Sequence, residues 1–290
     1  MTRSHAGAPV AADDPSEVVA VFGPEGNAVR PSLREYLAAM WDRRPFAFAL
    51  AHADLGAQRS GTVLGRLWPV IDAVFQAGLY WMLFSVLRQD TDASMLTLIV
   101  GSLFLFSITS AGLSEGPRSI RASKHLILNS TFPLAILPAT SLLKALLRFR
   151  LMIPVYVALH LLVKAPVGMG IAVLPLLFDL QLVITAGLVL LLAVTTTKVR
   201  DFDPMLNYLV RIIMFTTPVI YPATLFPEGL KPVISAVNPF FALFSAYQAV
   251  ILGQVPEVAD VAQAAIWATI LLVVGTRAFR RHEHTFAAAV

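Results

Sequence analysis

The chain has 290 residues, of which 57% are hydrophobic and only 14% charged; its mean hydropathy is +0.72 and its formal net charge +4. Soluble domains carry about 25% charged residues, and disordered chains combine low hydrophobicity with high charge, so this composition excludes both classes. Cysteine is absent, which rules out disulfide scaffolds, Cys-ligated zinc, iron–sulfur clusters and a thiol nucleophile.

Residues 1–30 are polar and rich in Ala, Pro, Asp and Gly. They lack the apolar core of a signal peptide and are expected to form a flexible cytoplasmic tail. Residues 31–66 are expected to hold amphipathic interface helices. Ser32 followed by Glu35 matches a capping box, in which each side chain satisfies a backbone donor at a helix start. Leu33, Leu37, Met40 and Trp41 then share one face, with Arg34, Arg43 and Arg44 available to headgroups. Pro45 ends this helix, and Phe46 to Leu55 start another. A cationic amphipathic helix with Trp lies in the membrane plane; the other reading is a small helix packed on the protein itself.

A membrane-crossing helix needs roughly 20 mostly apolar residues. Six stretches qualify, near residues 68–88, 93–114, 137–163, 171–196, 205–222 and 259–279. The second is uncharged, the first holds only Asp72 as far as Leu87, the fourth only Asp179 and the fifth only Arg211. The third carries Lys144, Arg148 and Arg150 in its first half. Six spans place fifteen Lys/Arg on one side and three on the other. Cationic loops stay cytoplasmic, so both termini are expected there, in a multi-pass protein of a bacterial inner membrane.

Between spans two and three, Pro117 suits a first helical turn. Arg118 and Arg121 lie next on one face, with Lys124 and His125 close by. This segment is either a short cytoplasmic helix that docks into a partner's groove or a solvated basic loop. After span five, Pro218, Pro222, Pro227, Pro232, Pro239 and Pro256 bracket two apolar pieces, Glu228 to Val237 and Phe240 to Gly253. Each is too short to span, and backbone at membrane depth must be satisfied within protein. Two re-entrant or interfacial half-helices on the outer face are therefore expected. Phe240, Phe241, Phe244 and Tyr247 make an aromatic stripe, either an outer gate or sugar-stacking surface, or a belt at the bilayer surface.

Intramembrane charge is costly and usually faces a cavity or a partner. Lys144 and Arg148 are four apart and share a helix face, and Arg211 lies inside span five. Such fixed cations suit an anionic group such as a diphosphate, although Lys144 also lies where it can snorkel to the interface. Asp72 and Asp179 are candidate counter-ions. Catalytic motifs are sparse. There is no phosphate-binding Gly-x4-Gly-Lys-Ser/Thr loop and no His-Glu-x2-His metal motif, so the chain is not expected to hydrolyse nucleotide itself. His282-Glu-His284 reads as solvated charge. Asp90-x-Asp92 and Asp201-x-Asp203 weakly match the metal-binding pair of sugar-nucleotide transferases, which keeps a polytopic membrane glycosyltransferase as an alternative.

The segments between spans carry a resemblance. Arg59-Ser-Gly-Thr-Val-Leu-Gly-Arg-Leu-Trp68 resembles the entry to span one of ABC-2 permeases that export polysaccharide, and Asn129-Ser-Thr-Phe-Pro-Leu-Ala-Ile-Leu-Pro138 resembles the turn after their coupling helix. Val199-Arg-Asp201, Thr217-Pro-Val-Ile-Tyr-Pro222 and Val237-Asn-Pro239 resemble their span-five and outer-gate signature, and Phe279-x-Arg281-x-Glu283-x-x-Phe286 their carboxyl end. The resemblance covers about residues 45–290 in order.

That resemblance implies an all-α integral membrane protein with six transmembrane helices, an amino-terminal amphipathic interface helix, a cytoplasmic coupling helix and two outer re-entrant half-helices. Residues 67–279 would be the transmembrane domain and 280–290 a cytoplasmic tail. On the same ground the chain would form a homodimer with two copies of an ABC ATPase subunit, which would hold the ATP and Mg, while this chain carries no cofactor or metal. Its cargo would be a glycan on a polyprenyl diphosphate, of cell-wall galactan, O-antigen or teichoic-acid type; an ABC-2 drug or lipid exporter is the nearest alternative. Arg118, Arg121, Lys124 and His125 would couple to the ATPase, Lys144, Arg148 and Arg211 would guide the diphosphate, and Tyr221 and the four-residue aromatic stripe would belong to the outer gate. Membrane lipids are the other expected contact, and nucleic acid is not expected.

Overall fold

The computed structural model describes residues 32–57, 65–88, 93–128, 132–199, 201–227 and 229–289. The amino-terminal tail, the motif residues 59–64, Asp90, Asp92, residues 129–131, Arg200 and Glu228 lie outside these. The described residues fold as helices without strands: α1 Leu33–Asp42, α2 Arg44–Ala57, α3 Trp68–Arg88, α4 Ala93–Glu115, α5 Ser119–Ala122, α6 Lys124–Leu128, α7 Ile136–Phe149, α8 Met152–Leu162, α9 Leu174–Lys198, α10 Phe202–Thr216, α11 Lys231–Val237, α12 Phe241–Ile251 and α13 Val258–Ala289.

Local chemistry explains most boundaries. Ser32 and Glu35 form the capping box at α1. Pro45 falls in the first turn of α2, where its missing N–H costs nothing. The third expected span is two helices, with the break at Arg150 and Leu151. Pro154 lies four residues beyond Arg150, cannot donate to its carbonyl and clashes with it. The expected coupling helix is likewise two short turns, α5 and α6, interrupted at Ser123. The carboxyl tail is not loose chain, because α13 continues as helix through Ala289.

Four segments are long and apolar enough to cross a bilayer: Ser94–Glu115, Ile136–Leu162, Met169–Lys198 and Val258–Phe286. The expected first and fifth spans differ. Within α3 only Val70–Leu83 qualifies, as a shorter apolar helix. α10 has 15 residues, roughly 22 Å at 1.5 Å per residue, less than the ~30 Å hydrocarbon core. In the stretch where two half-helices are expected, α11 and α12 are short helices that meet at a bend of 112°.

Two apolar clusters hold the helices together. The larger packs α4, α9, α12 and α13 through Leu98, Phe104, Leu177, Ile184, Phe244, Tyr247 and Leu271. The second joins Tyr36 and Ala47 to Ile120, Ile127, Phe132, Leu137, Val194, Phe279 and Phe286. It therefore gathers the interface helices, the coupling turns and the end of α13 into one body. Where α9 crosses α13, a side chain on Gly187 would come within 2.4 Å of the Leu271 backbone. Small residues let membrane helices approach this closely.

Candidate functional site

The short α5–α6 segment is tied to α10. The Arg121 guanidinium donates to the Asp203 carboxylate at 2.6 Å, and Arg118 donates to the Asp203 backbone carbonyl at 2.6 Å. Both arginines are half-buried, whereas Lys124 and His125 are exposed. The four residues thus divide: Arg118 and Arg121 grip the base of α10, and Lys124 and His125 reach the surface. Asp203, weakly expected as half of a metal pair, is instead the counter-ion of Arg121, while Asp201 is exposed.

The cations of span three are also paired. Lys144 Nζ lies 3.0 Å from Asp54 and 3.5 Å from Glu115, and Arg148 bonds to the other oxygen of Glu115. The expected counter-ions, Asp72 and Asp179, do not take part: Asp72 accepts from Gln76 one turn on at 3.0 Å, and both are exposed. Two carboxylates from α2 and α4 therefore balance two cations of α7. The counter-ions of span three are thus Asp54 and Glu115 in place of Asp72 and Asp179. Sequence reasoning misses Asp54 and Glu115. Glu115 does carry a signal, since it ends an otherwise uncharged span, but its position also suits an ordinary loop residue.

α1 is clamped to the end of α13. The Tyr36 hydroxyl donates to Glu283 at 3.0 Å, and the Leu134 N–H donates to the same oxygen at 2.6 Å. The Arg280 guanidinium lies 5.2 Å from the centre of the Tyr36 ring, within cation–π range. Burial and the Glu283 carboxylate push the Tyr36 hydroxyl well above its ordinary pKa, so it stays protonated and keeps donating. This clamp separates two faces of α1. Tyr36 and Met40 turn inward, while Leu33, Leu37 and Trp41 are exposed, so Met40 leaves the outward face that its spacing predicts.

The half that contains the α11–α12 bend is held by amides and hydroxyls. Gln181 of α9, fully buried, donates to the Leu105 carbonyl at 2.7 Å and to Thr109 at 3.0 Å, and accepts from Tyr247 at 2.9 Å. Gln248 of α12 donates to the carbonyls of Pro218 and Tyr221 and accepts from the Ala223 N–H, all within 2.8 Å. Asn238 donates to Thr216 and Thr217 and accepts from the Phe240 N–H. These side chains satisfy the backbone exposed by the proline-rich turns, as burial at membrane depth demands.

The aromatic stripe is consequently internal. Phe240, Phe241, Phe244 and Tyr247 are buried, with Phe244 packed edge-on against Phe106 and Tyr247. They form neither a lipid-facing belt nor an open stacking surface, because the bend between α11 and α12 turns them onto α4 and α9. Tyr221 stays half-exposed; it stacks on Phe226 and donates to the Phe215 carbonyl at 3.0 Å. Gln181 and Gln248 escape a sequence reading that weighs only ionisable residues as intramembrane signals.

Arg211 differs from the other cations. It is exposed, on the same face of α10 as Tyr208, Ile212 and Phe215. Among the described residues no carboxylate lies within 4.0 Å of it. The described residues also hold no cluster of three His, Cys, Asp or Glu suited to a metal. The arrangement thus supplies mechanical links between helices and, at Arg211, an exposed cation on the face of α10.

The family model for "ABC-2 type transporter" matches residues 47–252. The chain is 26% identical over 255 residues to the O-antigen export system permease protein RfbA of Myxococcus xanthus, covering 87% of this chain and 97% of that protein. It is 20% identical over 239 residues to the O-antigen export system permease protein RfbA of Klebsiella pneumoniae, covering 82% and 92%. The matched span contains the coupling turns, the Arg121–Asp203 link and the bent α11–α12 pair, and on this ground the chain belongs to the ABC-2 type transporter family.

Proposed function

We propose that this chain is the membrane subunit of an ATP-driven exporter that moves a polysaccharide carried on a polyprenyl diphosphate from the cytoplasmic to the outer side of a bacterial inner membrane. The observation that carries this reading is the near end-to-end match to O-antigen export permeases. The geometry fits it. Two copies of the chain, each with an ATPase subunit, would face one another through the exposed sides of α3 (Phe75, Leu79, Met82) and α10 (Tyr208, Ile212, Phe215). Arg211 lies on that α10 face and is the cation best suited to the diphosphate, because Lys144 and Arg148 already have carboxylates. α3 and α10 would serve as the first and fifth spans, with bilayer thinning at the short α10. Both termini would be cytoplasmic.

The mechanism is a population shift: closure of the ATPases must bind one permease conformation better than another. Lys124 and His125 would meet the ATPase, and Arg118 and Arg121 would pass the displacement to α10 through Asp203. The glycosyltransferase alternative loses its metal pair, since Asp203 is held by two arginines.

Depletion of this chain in its host tests the cargo. A lipid-linked glycan should accumulate and stay shielded from periodate added outside spheroplasts. Unchanged glycan display after depletion contradicts the reading. Native mass spectrometry of gently purified chain tests the assembly. The expected species has two copies of the chain and two of a P-loop ATPase, and recovery of the chain alone in every detergent contradicts it.

A further inference from the structure

One face of α13 changes chemistry along its length. Ile266, Ile270, Val273 and Val274 are exposed apolar residues at three- and four-residue spacing. Arg277, Arg281 and His284 continue the same stripe, all exposed. Among the described residues no helix covers the stripe; with its apolar part in the hydrocarbon, the next two turns of that face would lie at headgroup level. The distances agree. At 1.5 Å per residue, Arg277 lies roughly 4–5 Å beyond Val274 and Arg281 roughly 10 Å beyond it. The headgroup region on each side of a bilayer is about 5–8 Å thick, and an arginine side chain reaches several Å more.

The charges are uncompensated within the chain. Among the described residues no carboxylate lies within 4.0 Å of Arg277, Arg281 or His284. Arg280, on the adjoining face, is occupied by the Tyr36 ring. That contact and the Tyr36–Glu283 bond fix α1 beside this same turn. α1 presents Leu33, Leu37 and Trp41 outward, with the Arg44 guanidinium 4.6 Å from the centre of the Trp41 ring. An apolar ridge bearing Trp and Arg thus belongs to the helix that Tyr36 ties to the Arg280–Glu283 turn of α13.

We propose that the end of α13 and the outer face of α1 together form a binding site for an anionic phospholipid of the cytoplasmic leaflet, with Arg277 and Arg281 on its phosphate and Leu33, Leu37 and Trp41 against its acyl chains. The proposal rests on the cytoplasmic placement of both termini, and not on the identity of the cargo. Charge complementarity favours lipid over the ATPase, because the cationic turns continue a lipid-facing stripe rather than the surface around Lys124 and His125. Bound there, the lipid would brace the α1–α13 clamp from outside.

The test is native mass spectrometry of the full chain titrated with phosphatidylglycerol and with phosphatidylcholine of the same acyl chains. The chain should retain phosphatidylglycerol in preference. The Arg277→Gln/Arg281→Gln variant should lose that preference by roughly tenfold or more, from the interaction of each cation with an anionic surface. Arg277→Lys/Arg281→Lys should keep most of it, which separates lost charge from lost fold. Equal retention of both lipids by the parent chain overturns the proposal. So does a Gln variant that keeps its preference. Because the isolated chain is titrated, failure here leaves the cargo assignment standing, and the reverse also holds.

Discussion

The two ends of the molecule are held by different chemistry. At the end proposed as outer, Gln181, Gln248 and Asn238 satisfy the broken backbone with neutral hydrogen bonds. At the end proposed as inner, Arg121–Asp203, Lys144–Asp54 and Arg148–Glu115 join separate helices by charge. A neutral bond suits deep burial because an unpaired charge in hydrocarbon is far costlier than an unpaired amide. Ion pairs suit the half-exposed inner end, where their strength is modest and depends on water and salt. The outer end is accordingly built to stay, and the inner end to be moved.

Removing an outer amide should have the largest effect on folding. Gln248→Leu leaves two carbonyls and one N–H without their partner, at about 1–3 kcal/mol each. The variant should lose several degrees or more of thermal midpoint in detergent, and raising salt should not change the loss. A salt-sensitive loss would break the distinction between the two ends. At the inner end the expected effect is on transport. Charge reversal at both Arg118 and Arg121 should abolish export while membrane insertion and yield stay normal; undiminished export would refute the coupling role. Arg211→Gln should weaken export of the diphosphate-linked glycan without altering thermal stability, because the side chain is exposed and has no carboxylate against it. The smallest effect belongs to Lys144→Met. Its partner Asp54 is substantially exposed, and Arg148 still holds Glu115, so the cost should be about 1 kcal/mol or less. It should shrink further at high salt.

Hydropathy makes the membrane class and four of the spans legible, because each of those segments holds an apolar window long enough to cross a bilayer. The proline spacing makes the bent half-helices legible, because Pro cannot continue a helix. The capping box at Ser32 is equally local. Sequence cannot supply partners far apart in the chain: Arg121 with Asp203, Lys144 with Asp54, and Tyr36 with Glu283. Composition counts a charge but not what lies against it, so span three looks like a bare cationic face. The aromatic stripe misleads for a related reason. Phe240 to Tyr247 shows helical spacing whether the stripe faces lipid, sugar or core, and only the 112° bend decides.

The central claim is that the Arg121–Asp203 link carries ATPase motion into α10. The most direct measurement is glycan export and ATP turnover by the reconstituted transporter, comparing Arg121→Glu, Asp203→Arg and the two combined. The account predicts that each single variant loses export while ATP turnover continues, and that the charge swap recovers a substantial part of export. Single variants that export at the parent rate, or a swap that exports no better than either single, would contradict it.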